Sequence, residues 1–490
     1  MLNPAISGAT LLALLLASAI LAQGPQSDAT LELSDCRIYA AAGYPGIKAR
    51  CAIFERHLDP ADTDSPILRL NVAVVPALSL EPESDPFVPI AGGPGGASTS
   101  FYAAFAHAFE KVRRNRDILL IDQRGTGDSE LLSCDFGDEI LEGQLSMEET
   151  IAYTESCLDS LPHDPRFFTT SVAVQDLEAL RLALGYDSLN LYGSSYGTRV
   201  AQHYARRFPA TTRSVILDGV VPPQIALGPD IAIEAQKALE AIFDRCAQSS
   251  DCNNAFPDVA DDFARLEVAL SEEKVSVDIA HPINGKQQTV VFGDMEFAGA
   301  IRLMSYSPNT VALIPLLVHA AAQGNFAPLA ASFVASAESM SEQLAIGMHN
   351  SVVCTEDAAF YGDYDQAALE STYIGPVMTE TLSAICSVWP AGLIDDDLRA
   401  PLATDTPVLL LSGSADPVTP PHFAALAAVE MGNARHLIGE HQGHGLAGQG
   451  CMPDIVGRFV ESASVADLEP DCMQRLFTMP FFLDYSGPAP

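Results

Sequence analysis

The chain contains few basic residues for its size. Its 490 residues include 26 Lys and Arg against 63 Asp and Glu, which gives a formal net charge of −37 at pH 7. Proteins that bind nucleic acids carry a basic patch or stripe, and anionic lipid headgroups repel an acidic surface. The composition therefore argues against nucleic acid and anionic membranes as partners, and it predicts an acidic surface that keeps the protein in solution.

Zinc-binding spacings and long apolar runs are also missing. The sequence has no C-x-x-C and no H-E-x-x-H, so we expect no metal and no cofactor. The apolar run Val311 to Ala322 includes His319 and is shorter than the roughly 20 residues that a membrane-spanning helix needs. We therefore expect no membrane association once the N-terminal segment is removed.

The N-terminus has the features of an export signal. Leu11 to Leu21 is a short apolar run, and the small residues Ala17, Ala19 and Ala22 follow the pattern that signal peptidase cleaves. The positive charges that usually precede such a run are absent. The pattern predicts that residues 1–22 are a signal peptide and that the mature protein is secreted or periplasmic.

Ten cysteines follow this segment, and an even number in an exported chain indicates disulfide bonds. Sequence alone leaves the connectivity open. We expect neighbours to pair in order, because each couple falls within one local segment. The couples are Cys36 with Cys51, Cys134 with Cys157, Cys246 with Cys252, Cys354 with Cys386, and Cys451 with Cys472.

Short apolar runs alternate with helical patterns such as Val172 to Leu184. This alternation predicts an α/β fold with a mostly parallel sheet flanked by helices. The predicted strands are Leu68 to Val75, Phe87 to Ala91, Ile118 to Asp122, Leu189 to Tyr192, Val215 to Leu217, Val408 to Leu411 and His436 to Ile438.

The pattern changes between the fifth and sixth of these strands. Residues 221–405 are mostly of helical periodicity, with a hairpin predicted around Asn284-Gly285. We interpret them as a mainly helical cap inserted into an α/β core. The core then consists of residues 23–220 and 406–490.

Gly193-Ser194-Ser195-Tyr196-Gly197 is a G-x-S-x-G motif between the strand Leu189 to Tyr192 and a helical pattern from Thr198. In the α/β-hydrolase fold this motif is the nucleophile elbow, a sharp turn that exposes the serine between a strand and a helix. The context predicts the α/β-hydrolase fold with Ser195 as nucleophile. An ordinary strand-to-helix turn is the alternative interpretation.

A serine hydroxyl needs a base, and the base needs an orienting carboxylate. In this fold the chain order is Ser, then Asp or Glu, then His. Asp416 directly follows the strand ending at Leu411, whereas Asp405 precedes that strand and would lie at the opposite edge of the sheet. We therefore predict Asp416 as the orienting residue, although an Asp-Pro pair is also a common turn former.

His444, between two glycines, follows the last predicted strand. An imidazole with an ordinary pKa of about 6.5 can take up and return a proton near neutrality. Small neighbours allow the ring to approach the serine. His444 is the predicted base, and His441 is the alternative.

The glycine-rich segment 91–96 follows the strand that starts at Phe87. Such a loop can direct a backbone N–H at the oxyanion, and the residue after the nucleophile supplies the second N–H. We predict Gly93 and Tyr196 as these donors; a flexible surface turn is the alternative. No Gly-Lys-Ser/Thr follows, so this segment is not a phosphate-binding loop.

Together these motifs resemble the proline iminopeptidase and tripeptidyl aminopeptidase family of serine peptidases. The closest resemblance is to its exported, cysteine-containing branch, whose TAP-like C-terminal segment carries the Asp and His. The resemblance extends from about Cys36 to Cys472 and is weak across the insertion. The motifs that carry it are Gly92-Gly93-Pro94-Gly95-Gly96, Asp122-Gln123-Arg124-Gly125-Thr126-Gly127, Gly193-Ser194-Ser195-Tyr196-Gly197-Thr198-Arg199 and Gly443-His444-Gly445.

The resemblance implies release of one or a few residues from a free peptide N-terminus. An anion in the cap would then hold the substrate ammonium, and the segment 351–357 resembles the equivalent cap motif. Glu356 is the first candidate and Asp357 the second; a solvated acidic face is the alternative. Ala91 and Tyr196 depart from the His and Trp usual in proline iminopeptidases, which puts strict proline specificity in doubt.

The sequence thus predicts an exported serine hydrolase of the aminopeptidase type that acts on peptides with free N-termini. A carboxylesterase or lipase would use the same triad, because a fold does not determine its substrate. A non-catalytic relative that only binds ligands is a third possibility, against which the complete triad in the expected order argues.

Overall fold

The computed structural model describes residues 31–40, 45–134, 146–362, 364–466, 468 and 470–488. The predicted signal peptide, residues 1–22, lies outside these ranges. Among the helices within them, none is long and apolar enough to cross a bilayer.

Nine strands form one central sheet, and four others form two small antiparallel ribbons. The strands are β1 (Ser34–Ile38), β2 (Ile47–His57), β3 (Ile67–Val75), β4 (Phe87–Ile90), β5 (Ile118–Ile121), β6 (Leu189–Ser194), β7 (Thr212–Asp218), β8 (Val275–Ala280), β9 (Gln287–Phe292), β10 (Val408–Gly413), β11 (Ala434–Gly439), β12 (Phe482–Asp484) and β13 (Gly487–Pro488).

The order across the central sheet is β1-β2-β3-β5-β4-β6-β7-β10-β11. The pairs among β1, β2, β3 and β5 are antiparallel. From β5 to β11 every neighbouring pair is parallel. The sheet is therefore mostly parallel, and the carboxyl ends of its parallel strands share one edge.

The seven strands predicted from apolar runs are all present, and each prediction overlaps its strand. Strands β1 and β2 were not predicted. Most of their residues are exposed or partly buried, and they lack the continuous apolar run that marks a strand buried on both faces.

The α-helices are α1 (Ser98–Phe105), α2 (Met147–Ser160), α3 (Thr170–Leu184), α4 (Tyr196–Arg207), α5 (Pro229–Gln248), α6 (Ser250–Ala255), α7 (Val259–Glu272), α8 (Asp294–Met304), α9 (Pro308–Val311), α10 (Ile314–Ala322), α11 (Ala327–Gln343), α12 (Ile346–Glu356), α13 (Gln366–Glu370), α14 (Val377–Val388), α15 (Pro421–Ala427) and α16 (Met452–Ser462).

The two faces of the sheet bury separate hydrophobic clusters. Along β10, Val408 and Leu410 belong to one cluster, and Leu409 and Leu411 belong to the other, as the two-residue period of a strand requires. Helices α3, α4 and α15 contribute to the first cluster, and α1 and α16 contribute to the second. A mostly parallel sheet with helices on both faces confirms the predicted α/β-hydrolase class.

The segment between β7 and β10 adds no strand to the central sheet. Helices α5 to α14 and the β8-β9 hairpin lie here, and most of the residues of a third hydrophobic cluster come from this segment. Gly285, at the predicted hairpin turn, has a φ of +71°, a conformation that glycine adopts readily. The boundaries of the cap at residues 221 and 405 stay predictions.

All ten cysteines are paired, and each pairs with its neighbour along the chain, which confirms the predicted pairing. The bonds are Cys36–Cys51, Cys134–Cys157, Cys246–Cys252, Cys354–Cys386 and Cys451–Cys472.

Candidate active site

Ser195 occupies the turn between β6 and α4. Its φ of 54° and ψ of −124° are a strained conformation for a residue other than glycine. A Cβ on Gly193 would lie 2.3 Å from the Gly197 carbonyl oxygen, and a Cβ on Gly197 would lie 2.4 Å from the Ile90 carbonyl oxygen. Both glycines of the motif are therefore required by close backbone approach, and the turn has the geometry of a nucleophile elbow.

Asp416 and His444 lie on the loops that follow β10 and β11. The Asp416 Oδ2 atom is 2.8 Å from His444 Nδ1. A carboxylate accepts hydrogen bonds, so Nδ1 carries the proton and Nε2 of the neutral ring is left as an acceptor. This is the tautomer that a general base for a serine hydroxyl needs.

The Asp416 carboxylate is held by further donors. Oδ1 accepts from the backbone N–H groups of Val418 and Thr419, each at 2.9 Å, and Oδ2 accepts from the Thr419 hydroxyl at 2.7 Å. Burial by itself raises the pKa of Asp416, but the charge and hydrogen bond of His444 and the backbone donors outweigh it. The pKa therefore lies below its usual value, and the group is ionised at neutral pH.

Burial alone would lower the pKa of His444. The adjacent Asp416 carboxylate outweighs this effect, and the pKa of His444 is raised above 6.5. The rival residue His441 has an exposed side chain, and its Nε2 lies 3.8 Å from Glu440. The structure thus brings His444, and not His441, to Asp416.

Asp218, at the end of β7, connects the serine turn to the histidine loop. Its carbonyl oxygen accepts from the Ser195 N–H at 2.9 Å. Its carboxylate accepts from the N–H groups of Leu446 and Ala447, each at 2.8 Å. A Cβ on the next residue, Gly219, would lie 3.0 Å from His444 Cε1. Ser195 and His444 therefore both lie against the short segment Asp218-Gly219.

Sequence reasoning missed Asp218. The available signal was an aspartate at the carboxyl end of a parallel strand beside the elbow strand. Burial raises its pKa above the usual value, and its fully buried carboxylate also accepts from the Tyr192 hydroxyl at 2.8 Å.

The glycine-rich loop runs directly over the nucleophile. A Cβ on Gly92 would lie 2.9 Å from Ser195 Cβ and 3.5 Å from Ser195 Oγ. Gly93 has a φ of +117°, which favours glycine. Tyr196 is the first residue of α4, so its N–H belongs to the unpaired donors of a helix N-terminus. Tyr196 thus follows Ser195 directly in the chain, and Gly93 follows Gly92, the glycine that approaches Ser195; the role of both as oxyanion donors stays a prediction.

Residues of the predicted cap hold this loop in place. The Gly95 carbonyl accepts from the Ala345 N–H at 3.0 Å. His349 Nδ1 lies 3.1 Å from the Pro94 carbonyl oxygen and therefore donates to it. The loop is thus braced by hydrogen bonds that local sequence does not reveal.

Tyr306, also between β7 and β10, supports His444. Its carbonyl oxygen accepts from the His444 N–H at 2.8 Å, and the two rings meet edge to face with centroids 5.2 Å apart. Arg302 donates to the Tyr306 hydroxyl at 3.1 Å. No motif in the sequence indicated Tyr306 or Arg302.

Glu356 and Asp357, the predicted ammonium-binding residues, are completely buried. Glu356 accepts from the Thr170 N–H at 2.8 Å and from the Thr170 hydroxyl at 2.9 Å. Asp357 forms a two-bond pair with Arg199, at 2.8 and 3.0 Å. Contact with a substrate would require these bonds to open, so the ammonium-binding role stays a prediction.

The buried pair nevertheless touches the elbow helix. Thr170 Oγ1 lies 2.7 Å from the Tyr196 hydroxyl, and Arg199 belongs to the same helix. Burial raises the pKa of Glu356 to about 7, although the charge of Arg199 opposes this shift. These carboxylates are therefore placed to position the helix that follows Ser195.

Comparison with known proteins shows similarity to peptidases. Residues 371–472 match the TAP-like protein family. This match contains Asp416 and His444, and it begins before the predicted core boundary at residue 406. The TAP-like C-terminal segment that the sequence resemblance implied is confirmed.

Individual relatives match over part of their length. The serine protease Hip1 of Mycobacterium tuberculosis (strain ATCC 25618 / H37Rv) is 29% identical over 51% of this chain and 52% of its own. The tripeptidyl aminopeptidase of Streptomyces lividans is 30% identical over 30% of this chain and 31% of its own. The proline iminopeptidase of Xylella fastidiosa (strain Temecula1 / ATCC 700964) is 30% identical over 28% of this chain and 33% of its own. The matches thus span about a third to a half of these relatives.

Proposed function

We propose that this chain, an α/β-hydrolase-fold protein with a TAP-like C-terminal segment, is a serine hydrolase that removes residues from the free N-terminus of peptides. The observation that carries the proposal is the 2.8 Å hydrogen bond between Asp416 and His444, on loops tied through Asp218 to the Ser195 elbow. A strained serine, a carboxylate and an imidazole, in this chain order, are the components of acyl transfer in this fold.

In the proposed reaction, His444 Nε2 takes the proton of Ser195 Oγ as the oxygen attacks the peptide carbonyl. Asp416 stabilises the imidazolium that forms, and the Gly93 and Tyr196 N–H groups bind the oxyanion. His444 then gives the proton to the leaving amine. Water attacks the acyl-enzyme in the second half and releases the peptide acid.

The aminopeptidase part of the proposal is supported by the names of the relatives, two of which are aminopeptidase and iminopeptidase. The disulfides fit an exported protein, since such bonds persist in oxidising compartments. In this proposal residues 221–405 form a cap that limits access to chain ends, and Glu356 is the first candidate anion for the substrate ammonium, with Asp357 the second.

The test compares free and blocked peptides. Fluorogenic prolyl, alanyl and Ala-Ala-Pro amides with free N-termini are matched with their acetylated forms, and a short-chain nitrophenyl ester serves as the reactivity control. Hydrolysis confined to free N-termini supports the aminopeptidase proposal. Hydrolysis of the ester without any amide cleavage would retain the serine hydrolase and replace the peptidase by an esterase.

The pH dependence should follow the ionisation of His444. The ring acts as a base only when neutral, so kcat/KM should rise with pH. The Asp416 carboxylate raises the pKa of His444, so we expect the midpoint above 6.5. The nitrophenyl ester is the substrate to use, because a substrate α-amino group titrates at about pH 8 and would distort the profile. A midpoint at or below 6.5 would contradict the raised pKa.

Replacing Glu356 by glutamine should change how stability depends on pH. The pKa of about 7 in the folded state exceeds the usual value of about 4.3, so folding favours the protonated form. The contribution of Glu356 to stability is therefore full below about pH 4 and is lost as pH rises to about 7. The change amounts to about 4 kcal/mol, at about 1.4 kcal/mol per pKa unit.

The measurement is thermal or urea unfolding of wild type and Glu356→Gln at several values between pH 5 and 8. Wild type should lose stability relative to the variant as the pH rises. The exposed Glu272→Gln is the matched control and should follow wild type. Parallel pH profiles for wild type and Glu356→Gln would be inconsistent with a raised pKa of Glu356.

A further inference from the structure

A cavity of about 640 Å³ lies between α7, α8 and residues 372–378. Its lining includes none of Ser195, Asp416, His444, Gly93 and Tyr196. The cavity is therefore separate from the candidate active site.

The walls of the cavity are largely apolar. Phe263 and Phe297 line it with ring centroids 4.9 Å apart, and the Tyr373 ring meets Phe263 edge to face at 5.9 Å. Met295 lines it as well. Cavities of this size with aromatic walls and a few polar groups are typical of small-molecule sites.

Arg302 brings a positive charge to this cavity. Among the described residues its guanidinium donates only to the Tyr306 hydroxyl and pairs with no carboxylate, and its Nε is buried without a hydrogen-bond partner. The buried Tyr373 hydroxyl also lacks a partner there. Buried polar groups are normally hydrogen-bonded, and an unpaired arginine is unexpected in a chain with 63 acidic residues.

Glu267 is half-buried on another side of the cavity. Within the part of the chain that the structure describes, the Glu267 side chain makes no hydrogen bond or ion pair, and it does not pair with Arg302. The cavity therefore presents one unpaired cation, Arg302, together with the carboxyl groups of half-buried Glu267 and exposed Asp294, among largely apolar walls.

We propose that this cavity binds a free amino acid or short peptide that has an apolar side chain. Arg302 binds the carboxylate of the ligand, Glu267 binds its ammonium group, and the aromatic walls contact its side chain. The choice of ligand class rests on the proposed function, because hydrolysis at a peptide N-terminus releases such molecules.

Arg302 connects the cavity to His444 through Tyr306. A carboxylate bound at Arg302 competes for the guanidinium N–H groups, one of which is donated to the Tyr306 hydroxyl. Tyr306 in turn contacts the His444 ring and backbone. Occupancy of the cavity should therefore slow turnover without competing with the substrate.

Binding is measured by calorimetric titration of the full chain carrying Ser195→Ala with the dipeptide Ala-Phe. We expect saturable one-to-one binding. Acetyl-Ala-Phe and Ala-Phe amide each lack one of the two charges and should bind at least ten-fold more weakly. Arg302→Gln and Glu267→Gln should have effects of the same size, whereas Arg265→Gln, an exposed arginine of α7 outside the cavity, should leave affinity unchanged.

Labelling wild type at Ser195 with a phosphonate separates the two sites. Retained Ala-Phe binding after labelling supports the cavity, and its loss would place the dipeptide in the active site and overturn the proposal. Absence of binding, or binding that survives both Arg302→Gln and Glu267→Gln, would also overturn it. If Arg302→Gln has no cooperative unfolding transition, and so does not fold, the affinity of Glu267→Gln for Ala-Phe decides the test, because Glu267 is partly exposed. Because the titration needs no turnover, a chain that hydrolyses nothing would still test the cavity.

Discussion

Replacement of Ser195 by alanine is expected to lower kcat for peptide and ester substrates by about 10⁶-fold, the size of effect seen when a triad nucleophile is removed. The hydroxyl oxygen of Ser195 is the atom that forms the acyl-enzyme in the proposed reaction, and alanine has no nucleophilic atom in its place. The Ser195 side chain makes no capping hydrogen bond to α4, so the variant should fold. The measurement is kcat for the free-terminus amides and the ester, with Tm as the check on folding.

Ser194 provides the matched control, since Ser194→Ala removes the neighbouring hydroxyl and should retain activity within a few-fold. A phosphonate that labels wild type and Ser194→Ala, but not Ser195→Ala, would identify the nucleophile independently of turnover. Wild-type activity in Ser195→Ala would show that this residue is not part of the mechanism. Failure of Ser195 to react with the phosphonate would favour a non-catalytic binding protein.

Asp416→Asn is expected to lower kcat by about 10⁴-fold with little change in fold. The Val418 and Thr419 N–H groups donate to Oδ1, so the asparagine oxygen should take that position. Its NH₂ group then faces His444 Nδ1, which must become an acceptor. The proton moves to Nε2, and the ring can no longer accept the proton of Ser195.

Loss of the carboxylate should also lower the pKa of His444, because Asp416 is the main group that raises it. Residual activity of Asp416→Asn should therefore have its pH midpoint below that of wild type. Asp405→Asn is the control, since Asp405 precedes β10 and lies away from the site. An equal loss of kcat in both variants would indicate destabilisation of the fold. An unchanged kcat in Asp416→Asn would exclude a role of Asp416 in orienting His444.

Several features of the candidate site could be predicted because they depend on local sequence. A nucleophile elbow needs a serine between a strand and a helix, and it needs glycines at two positions where the backbone approaches closely. The motif supplies these glycines at Gly193 and Gly197. Asp416 and His444 each follow an apolar strand directly. Since parallel strands end at one edge of a sheet, their positions along the chain predicted that they would meet.

Other features could not be predicted, because they join residues that are distant in the chain and carry no motif. Asp218 holds the N–H groups of Leu446 and Ala447 across a separation of more than 220 residues. Tyr306 reaches His444 from another part of the chain. For Glu356 the sequence indicated an acidic residue in the cap, but not its complete burial against Thr170 and Arg199.

The sequence by itself determined most of the strand and helix pattern and the order of serine, aspartate and histidine. It favoured the pairing of neighbouring cysteines, which the structure established. These properties follow from side-chain periodicity, backbone sterics and short loop closure, which act over a few residues to a few tens of residues. Only the tertiary structure decided which charges are paired and buried. Burial and electrostatic environment depend on what the whole chain brings to one place, which is why Arg302 and Glu267 stand out only when the cavity around them is seen.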